Sequence, residues 1–285
     1  MRYLILLCLI ISFNTFAQTS IWRVSKGDSE LYIGGTIHVL SKTDFPLPIE
    51  YEQAYNKSKM IVFETDLVAM ALPETQQALV RRIMYQNGRT LKDDLKASTF
   101  QALVDYAASA GLKIETLNQF KPSMVMLTLV FTELQSLGMG GTGVDMYFNQ
   151  KAIDDDKKLG VMESLETHLS IIENIGKGYE DEMILSTIED MKELPLIMND
   201  MKNAWRTGNS KKLAEISLFP MIKDFPDLHR LILVDRNNAW VPRIEALLAT
   251  PEVEFVLVGA LHLISKDGVI AKLHALGYKV ELYKN

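Results

Sequence analysis

The chain of 285 residues carries 30 lysine and arginine against 36 aspartate and glutamate side chains, a formal net charge of −6. No basic run occurs anywhere, which speaks against nucleic acid as a partner. The one cysteine is Cys8, inside an apolar leader, so a chain without that leader forms no disulfide and offers neither a thiol nucleophile nor a thiolate ligand.

In chain order, "MRYLILLCLIISFNTFAQ" begins with one early charge at Arg2, continues as an apolar stretch and ends on Thr15-Phe16-Ala17. This predicts a signal peptide over 1–17, cleaved after Ala17, and hence an exported protein, periplasmic or secreted. Leu7 before Cys8 disfavours a lipid anchor. The apolar run is shorter than the roughly 18 residues of a spanning helix, so no stable membrane span is expected after cleavage. The remaining 18–285 is read as one domain, near the upper size for a single hydrophobic core.

Short β-patterned runs follow at "SIWRVS" (20–25), "ELYIGG" (30–35) and "MIVFET" (60–65), and again near the end at "EFVLVG" (254–259) and "YKVELY" (278–283). The runs at 60–65 and 254–259 are almost continuously apolar, as strands covered on both faces are. Between them, from about 67 to 248, the periodicity is helical, interrupted by the strand-like "KKLGVME" (157–163). Pro195 should kink or break the long helical pattern over 179–205. The expected fold class is α/β: a central mixed sheet built from both chain ends, with a large helical insertion. Fourteen methionines, dense over 183–201, read as core filling or as an adaptable apolar surface.

Two stretches share a pattern. "LYIGGTIHVLSK" (31–42) and "FVLVGALHLISK" (255–266) both end an apolar strand with Gly-x-x-His, and four positions are identical: Gly35/Gly259, His38/His262, Ser41/Ser265 and Lys42/Lys266. A duplicated strand–loop–helix–strand unit accounts for this. Histidines leaving two strand ends project into the crevice where open α/β sheets bind ligands, and the motif glycines permit close approach. A single Gly-x-x-His reads most simply as a turn histidine; the repetition points to a metal-ligand pair, His38 and His262. Glu64 in "VFETD" and Glu163 in "GVMESLETH" end strand-like runs and are candidates for ligation or for the base that activates water, with Asp66 placed on the face of Glu64 if the strand continues. A strand-end carboxylate bonded to helix amides is the plainer reading for both. Arg236 in "LVDRNNAW" is a candidate for clamping a carboxylate or stabilising an oxyanion, or for an ordinary pair with Asp235 or another acidic neighbour, and the spacing does not decide. His168, His229 and His274 lie in helical patterns and read as solvent-facing or structural.

Taken together, "LYIGGTIHVL", "VFETD", "GVDMYFNQKA", "GVMESLETHL", "LVDRNNAW" and "FVLVGALHLISKDGVIAKLHALGYKV" resemble, in order and spacing, the TraB/GumN family, which includes pheromone-shutdown proteins and the animal Tiki proteases. The resemblance implies that His38 and His262 form the core of the site, with Glu64, Glu163 and Arg236 in support. It also implies a divalent metal (manganese or cobalt, with zinc a further candidate) and a metallopeptidase acting on peptide or protein substrates. The chain departs from the family pattern at His168, where glutamine is common, and at Ser123, where tryptophan is common. Both lie away from the histidine motifs and bear on substrate preference. A metal-free esterase-like hydrolase using histidine and glutamate, and a non-catalytic module that sequesters a peptide or haem, are the competing expectations.

Overall fold

The computed structural model describes residues 19–284; the expected signal peptide and its cleavage point lie outside the described residues. Six strands, β1 (Ile21–Lys26), β2 (Ser29–Thr36), β3 (Met60–Phe63), β4 (Lys158–Val161), β5 (Glu254–Gly259) and β6 (Lys279–Leu282), form one sheet in the order β4-β3-β5-β2-β1-β6. β4, β3, β5 and β2 run parallel, while β1 is antiparallel to both β2 and β6. This is the expected mixed α/β sheet, with both chain ends supplying strands. Gly27 and Asp28 close the β1–β2 hairpin, and Gly27 supplies the positive φ of +61° that a two-residue loop requires.

Side-chain alternation assigns the two faces. Tyr32, Ile61, Phe255 and Leu257 pack with the helices Ile49–Lys57 and Val144–Asp154. Leu31, Ile33, Val62, Val256 and Val258 pack instead with the helices Asp235–Leu248 and Val269–Ala275. The central strand β5 is therefore covered on both sides, and Phe255, Val256, Leu257 and Val258 are each at most 2 % exposed. Burial of this kind contributes about 1.5–3 kcal/mol per side chain, which is why β5 reads as an unbroken apolar run.

Both Gly-x-x-His stretches fold as strand, 3₁₀ turn, helix and strand: β2 leads through Lys42–Asp44 and Ile49–Lys57 to β3, and β5 through Ala260–Leu263 and Val269–Ala275 to β6. The two units interleave, with β5 inserted between β2 and β3, and their helices cover opposite faces of the sheet. They differ locally, because His38 precedes its turn whereas His262 lies inside its own.

The helices between β3 and β5 run from Leu67–Met70 to Asp235–Leu248 around β4, matching the expected insertion. Part of this region has its own core of Leu91, Leu103, Val125, Leu129 and Ile184. Pro195 acts as expected: one helix ends at Asp190 and the next, Leu194–Arg206, holds Pro195 in its first turn, where the missing N–H costs nothing. Met183, Met191 and Met198 are buried, so the methionine-dense stretch serves largely as core. Among the described residues no helix is long and apolar enough to cross a membrane.

Candidate functional site

Four parallel strands end on one edge of the sheet. Thr36 pairs with Gly259, and Phe63 pairs with both Leu257 and Val161. The residues just past these ends are His38, Glu64, Glu163 and His262, so the register gathers four chemically capable side chains at the carboxyl edge, where α/β sheets hold ligands. Backbone bonds from Met162 N–H to Phe63 O (2.8 Å) and from Glu163 N–H to Glu64 O (2.9 Å) prolong the β3–β4 pairing and set the two glutamates side by side.

Arg236 joins them from the helix Asp235–Leu248, directly after a π-helical turn at Arg230–Val234, a local register break often found beside functional sites. Its Nε and Nη2 donate to Glu163 Oε2 (2.9 Å) and Oε1 (2.8 Å), a bidentate fork. Nη2 also donates to Glu64 Oε2 at 2.5 Å, and Nη1 donates to Ile232 O at 3.2 Å and to His262 Nε2 at 3.0 Å. Trp240 lies under the guanidinium, 4.6 Å from ring centroid to Cζ, and its indole N–H donates to Glu163 Oε2. Burial alone would raise the pKa of Glu64, but Arg236 beside it holds the carboxyl far below the usual range. Glu163 is likewise held low: burial opposes its charge, and the bonds from His168 and Arg236 outweigh that.

The two motif histidines occupy opposite electrostatic states. His262 is 4 % exposed and stacks on Trp240 at 4.3 Å between ring centroids. Asn237 donates through Nδ2 to Asp267 O, which turns its Oδ1 toward His262 Nδ1 at 2.6 Å. Nδ1 thus carries the proton and Nε2 accepts from Arg236. Burial is the main reason that the pKa of His262 falls to about 3, leaving it neutral. The side chain of His38 remains 59 % exposed at the cleft, and its Nδ1 donates to Asp145 Oδ1 at 3.2 Å. Partial loss of solvent opposes its charge, yet Asp145 and then Glu64 outweigh that and raise His38 to about 9. Its ring is an imidazolium at neutral pH, with Nε2 as the free donor.

Gly259 is where these groups converge. A Cβ placed there would stand 3.3 Å from Glu64 Oε1, 3.4 Å from His38 Nε2 and 3.6 Å from His262 Cδ2. The glycine N–H donates to Glu64 Oε1 at 2.7 Å. The missing side chain leaves a small cradle between an imidazolium and a carboxylate. His38 and Glu64 also line a cleft of about 370 Å³, with Asp145, His168 and apolar side chains such as Leu67 and Met70.

A model of the TraB/PrgY/gumN family matches residues 20–282, nearly the whole chain. The chain belongs to the TraB/PrgY/gumN family. No curated protein and no solved structure matches it. The TraB/PrgY/gumN resemblance raised the expectation of a divalent ion, and the donor set bears on that directly. Ligand atoms of Glu64, Glu163 and His168 lie within 4.8 Å of one another, a group of hard and borderline donors able to hold a metal. Arg236, however, donates to both carboxylates and to His262 Nε2. As arranged, its guanidinium stands where a cation would meet these donors, and an ion fits only if Arg236 swings away.

Two readings of the sequence are corrected, for His168 and Asp66. His168 does not face away from the site: its Nδ1 donates to Glu163 Oε1 at 2.8 Å and it lines the cleft, so this departure from the family pattern lies in the site itself. Asp66 does not share a strand face with Glu64, because β3 ends at Phe63 and Asp66 instead caps the helix Leu67–Met70, accepting from Ala69 N–H at 2.8 Å. Of the alternatives open for Arg236, the structure has it clasp carboxylates, those of Glu64 and Glu163. Ser123 is buried against a separate 180 Å³ pocket and does not line the cleft. Sequence reasoning missed Asp145, although its segment "GVDMYFNQKA" was already singled out. The signal there is Gly143 with an acid two residues on, and the structure explains both. Gly141 and Val144 N–H donate to Leu40 O and Ile37 O, which straps this segment to the His38 loop and presents Asp145 to the imidazole.

Proposed function

We propose that the protein is an exported hydrolase of peptides or exposed protein segments, with the carboxyl-edge cleft as its active site. The observation that carries this reading is the convergence of His38 Nε2 and Glu64 Oε1 on Gly259, beside the cleft that both side chains line. An acid and a carboxylate lining one cleft form the minimum set for general acid–base hydrolysis. Asp145 holds the His38 ring through Nδ1 and keeps the proton on Nε2. Water donating to Glu64 Oε1 is oriented onto the carbonyl carbon; as its C–O bond forms and the C–N bond breaks, His38 gives its Nε2 proton to the departing amine and recovers one from the oxygen that the water has supplied. Arg236 and Glu163 fix Glu64, while neutral His262 keeps Nε2 on Arg236 and so completes the frame.

The Glu64, Glu163 and His168 donor atoms favour a second reading, a divalent-metal-dependent peptidase in which a bound ion supplies Lewis-acid activation of water. In that case Arg236 is displaced from the carboxylates and His38 remains the acid. The test is cleavage of a quenched-fluorescent peptide library by the protein lacking residues 1–17, with and without a chelator, alongside His38→Ala and Glu64→Gln. Cleavage that resists chelation and falls by about 10²–10⁴ in each variant supports acid–base hydrolysis. Cleavage abolished by chelation and restored by manganese, cobalt or zinc supports the metal reading. No cleavage, with a haem absorption band or simple peptide retention, would leave the cleft as a binding module.

A further inference from the structure

Six buried side-chain polar atoms find no hydrogen-bond partner among the described residues: those of Thr19, Thr36, Thr65, Ser123, His229 and Glu254. Only Thr36 and Thr65 also line the site cleft. They are 2 % and 1 % exposed, and each adjoins a residue of the site, Thr36 two before His38 and Thr65 directly after Glu64. A buried hydroxyl without a partner costs about 1–3 kcal/mol, and valine fills the same shape at no such cost. Two such hydroxyls in one cleft, at the end of β2 and just past the end of β3 on either side of β5, therefore call for an outside partner.

The rest of the lining says what kind. Apart from Gln76 and the site residues His38, Glu64, Asp145 and His168, the wall is apolar, formed by Phe63, Leu67, Met70, Ala71, Met146 and Leu257. Apolar walls with a few placed polar groups orient a ligand that has an apolar body and a polar spine. We infer that Thr36 and Thr65 form a main-chain-binding subsite, which hydrogen-bonds the peptide groups of a substrate segment while its apolar side chain rests on Leu67, Met70 and Leu257. This rests on the hydrolase reading and adds the substrate class: segments with a large apolar residue beside the bond to be cut.

The experiment compares wild type with Thr36→Val, Thr65→Val and the double variant. The probes are two blocked hexapeptides, acetylated and amidated, identical except for a central leucine or aspartate, and binding is followed by calorimetry. Calorimetry reads the subsite whether or not the peptide is cut, so loss of the hydrolase reading and loss of this one are separable. The expected result is that wild type binds the leucine peptide at least tenfold more tightly than the aspartate peptide. The double variant should lose about tenfold of that affinity, with a melting temperature unchanged or raised. Where the leucine peptide is cut, KM rises in the variants while kcat holds. Equal binding of the two peptides, unchanged affinity in the double variant, or no binding to wild type each overturns the subsite. A melting temperature several degrees lower in the valine variants also overturns it, since the hydroxyls would then be bonded within the fold.

Discussion

A methyl group at Gly259 would enter the space shared by Glu64 Oε1, His38 Nε2 and His262, at 3.3, 3.4 and 3.6 Å. The backbone there, φ −50° and ψ 135°, is one that alanine adopts without strain. Gly259→Ala is therefore expected to fold with a stability within about 1 kcal/mol of wild type, since the nearest atoms can give by a few tenths of an ångström. Turnover should nonetheless fall at least a hundredfold, because the reacting group is excluded; peptide cleavage and thermal melting on the same sample check this. Arg236 gives the opposite pattern. Glu64 and Glu163 keep only 11 % and 6 % of their side-chain surface exposed, and Arg236→Met leaves both without their cation. Breaking a buried pair in this way costs about 3–5 kcal/mol. Denaturant unfolding should show that loss, and the triple change Arg236→Met/Glu64→Gln/Glu163→Gln should recover much of it. The candidates His38, Glu64, Glu163, Arg236 and His262 were legible as residues because each ends or borders a recognisable run. Their bonding was not, since which carboxylate Arg236 clasps depends on distances between segments up to 172 positions apart.

At the scale of elements, the strap between the 141–144 segment and the His38 loop sets a sharp constraint. A Cβ on Gly143 would lie 2.2 Å from His38 O and 2.6 Å from Ile37 O, both backbone atoms that cannot yield independently. Gly143→Ala is expected to pry the segment off the loop, carrying Asp145 away from the imidazole, with a stability loss of several kcal/mol. Gly140→Ala is the control, because its Cβ would meet only the flexible Gln135 Cγ at 3.1 Å. Melting temperatures of the two variants should diverge, and only the first should move the His38 titration seen by NMR. The strands were readable because period-two patterns and apolar runs are local signals. The interleaving of the two histidine units was not. Strand order depends on which apolar edges meet after collapse, and nothing within "FVLVG" says that it will lie between β2 and β3.

For the whole molecule, the two histidines tie stability to pH from opposite sides. His262 has a folded pKa of about 3 against 6.5 for a free imidazole, so the unfolded chain binds the extra proton between those values. Its contribution is fully present above pH 6.5 and is lost as pH falls toward 3, joined below about 4.5 by Glu64 and Glu163, whose folded values are depressed. His38, raised to about 9, works the other way: its contribution is present below pH 6.5 and lost as pH climbs from there through 9. Melting temperature should therefore peak near pH 6–7 and decline on both sides. His38→Ala should flatten only the alkaline limb, and Asp145→Asn should move that limb to lower pH. The activity profile then separates the two mechanisms. His38 is the acid in both, so peptide cleavage falls above about pH 9 in wild type and at lower pH in Asp145→Asn, because removing the carboxylate lowers the pKa of the ring it faces. Only the metal reading would add a rise in rate with pH near neutrality, since an ion held by Glu64, Glu163 and His168 would lower the pKa of water, and this rising limb would persist in Asp145→Asn.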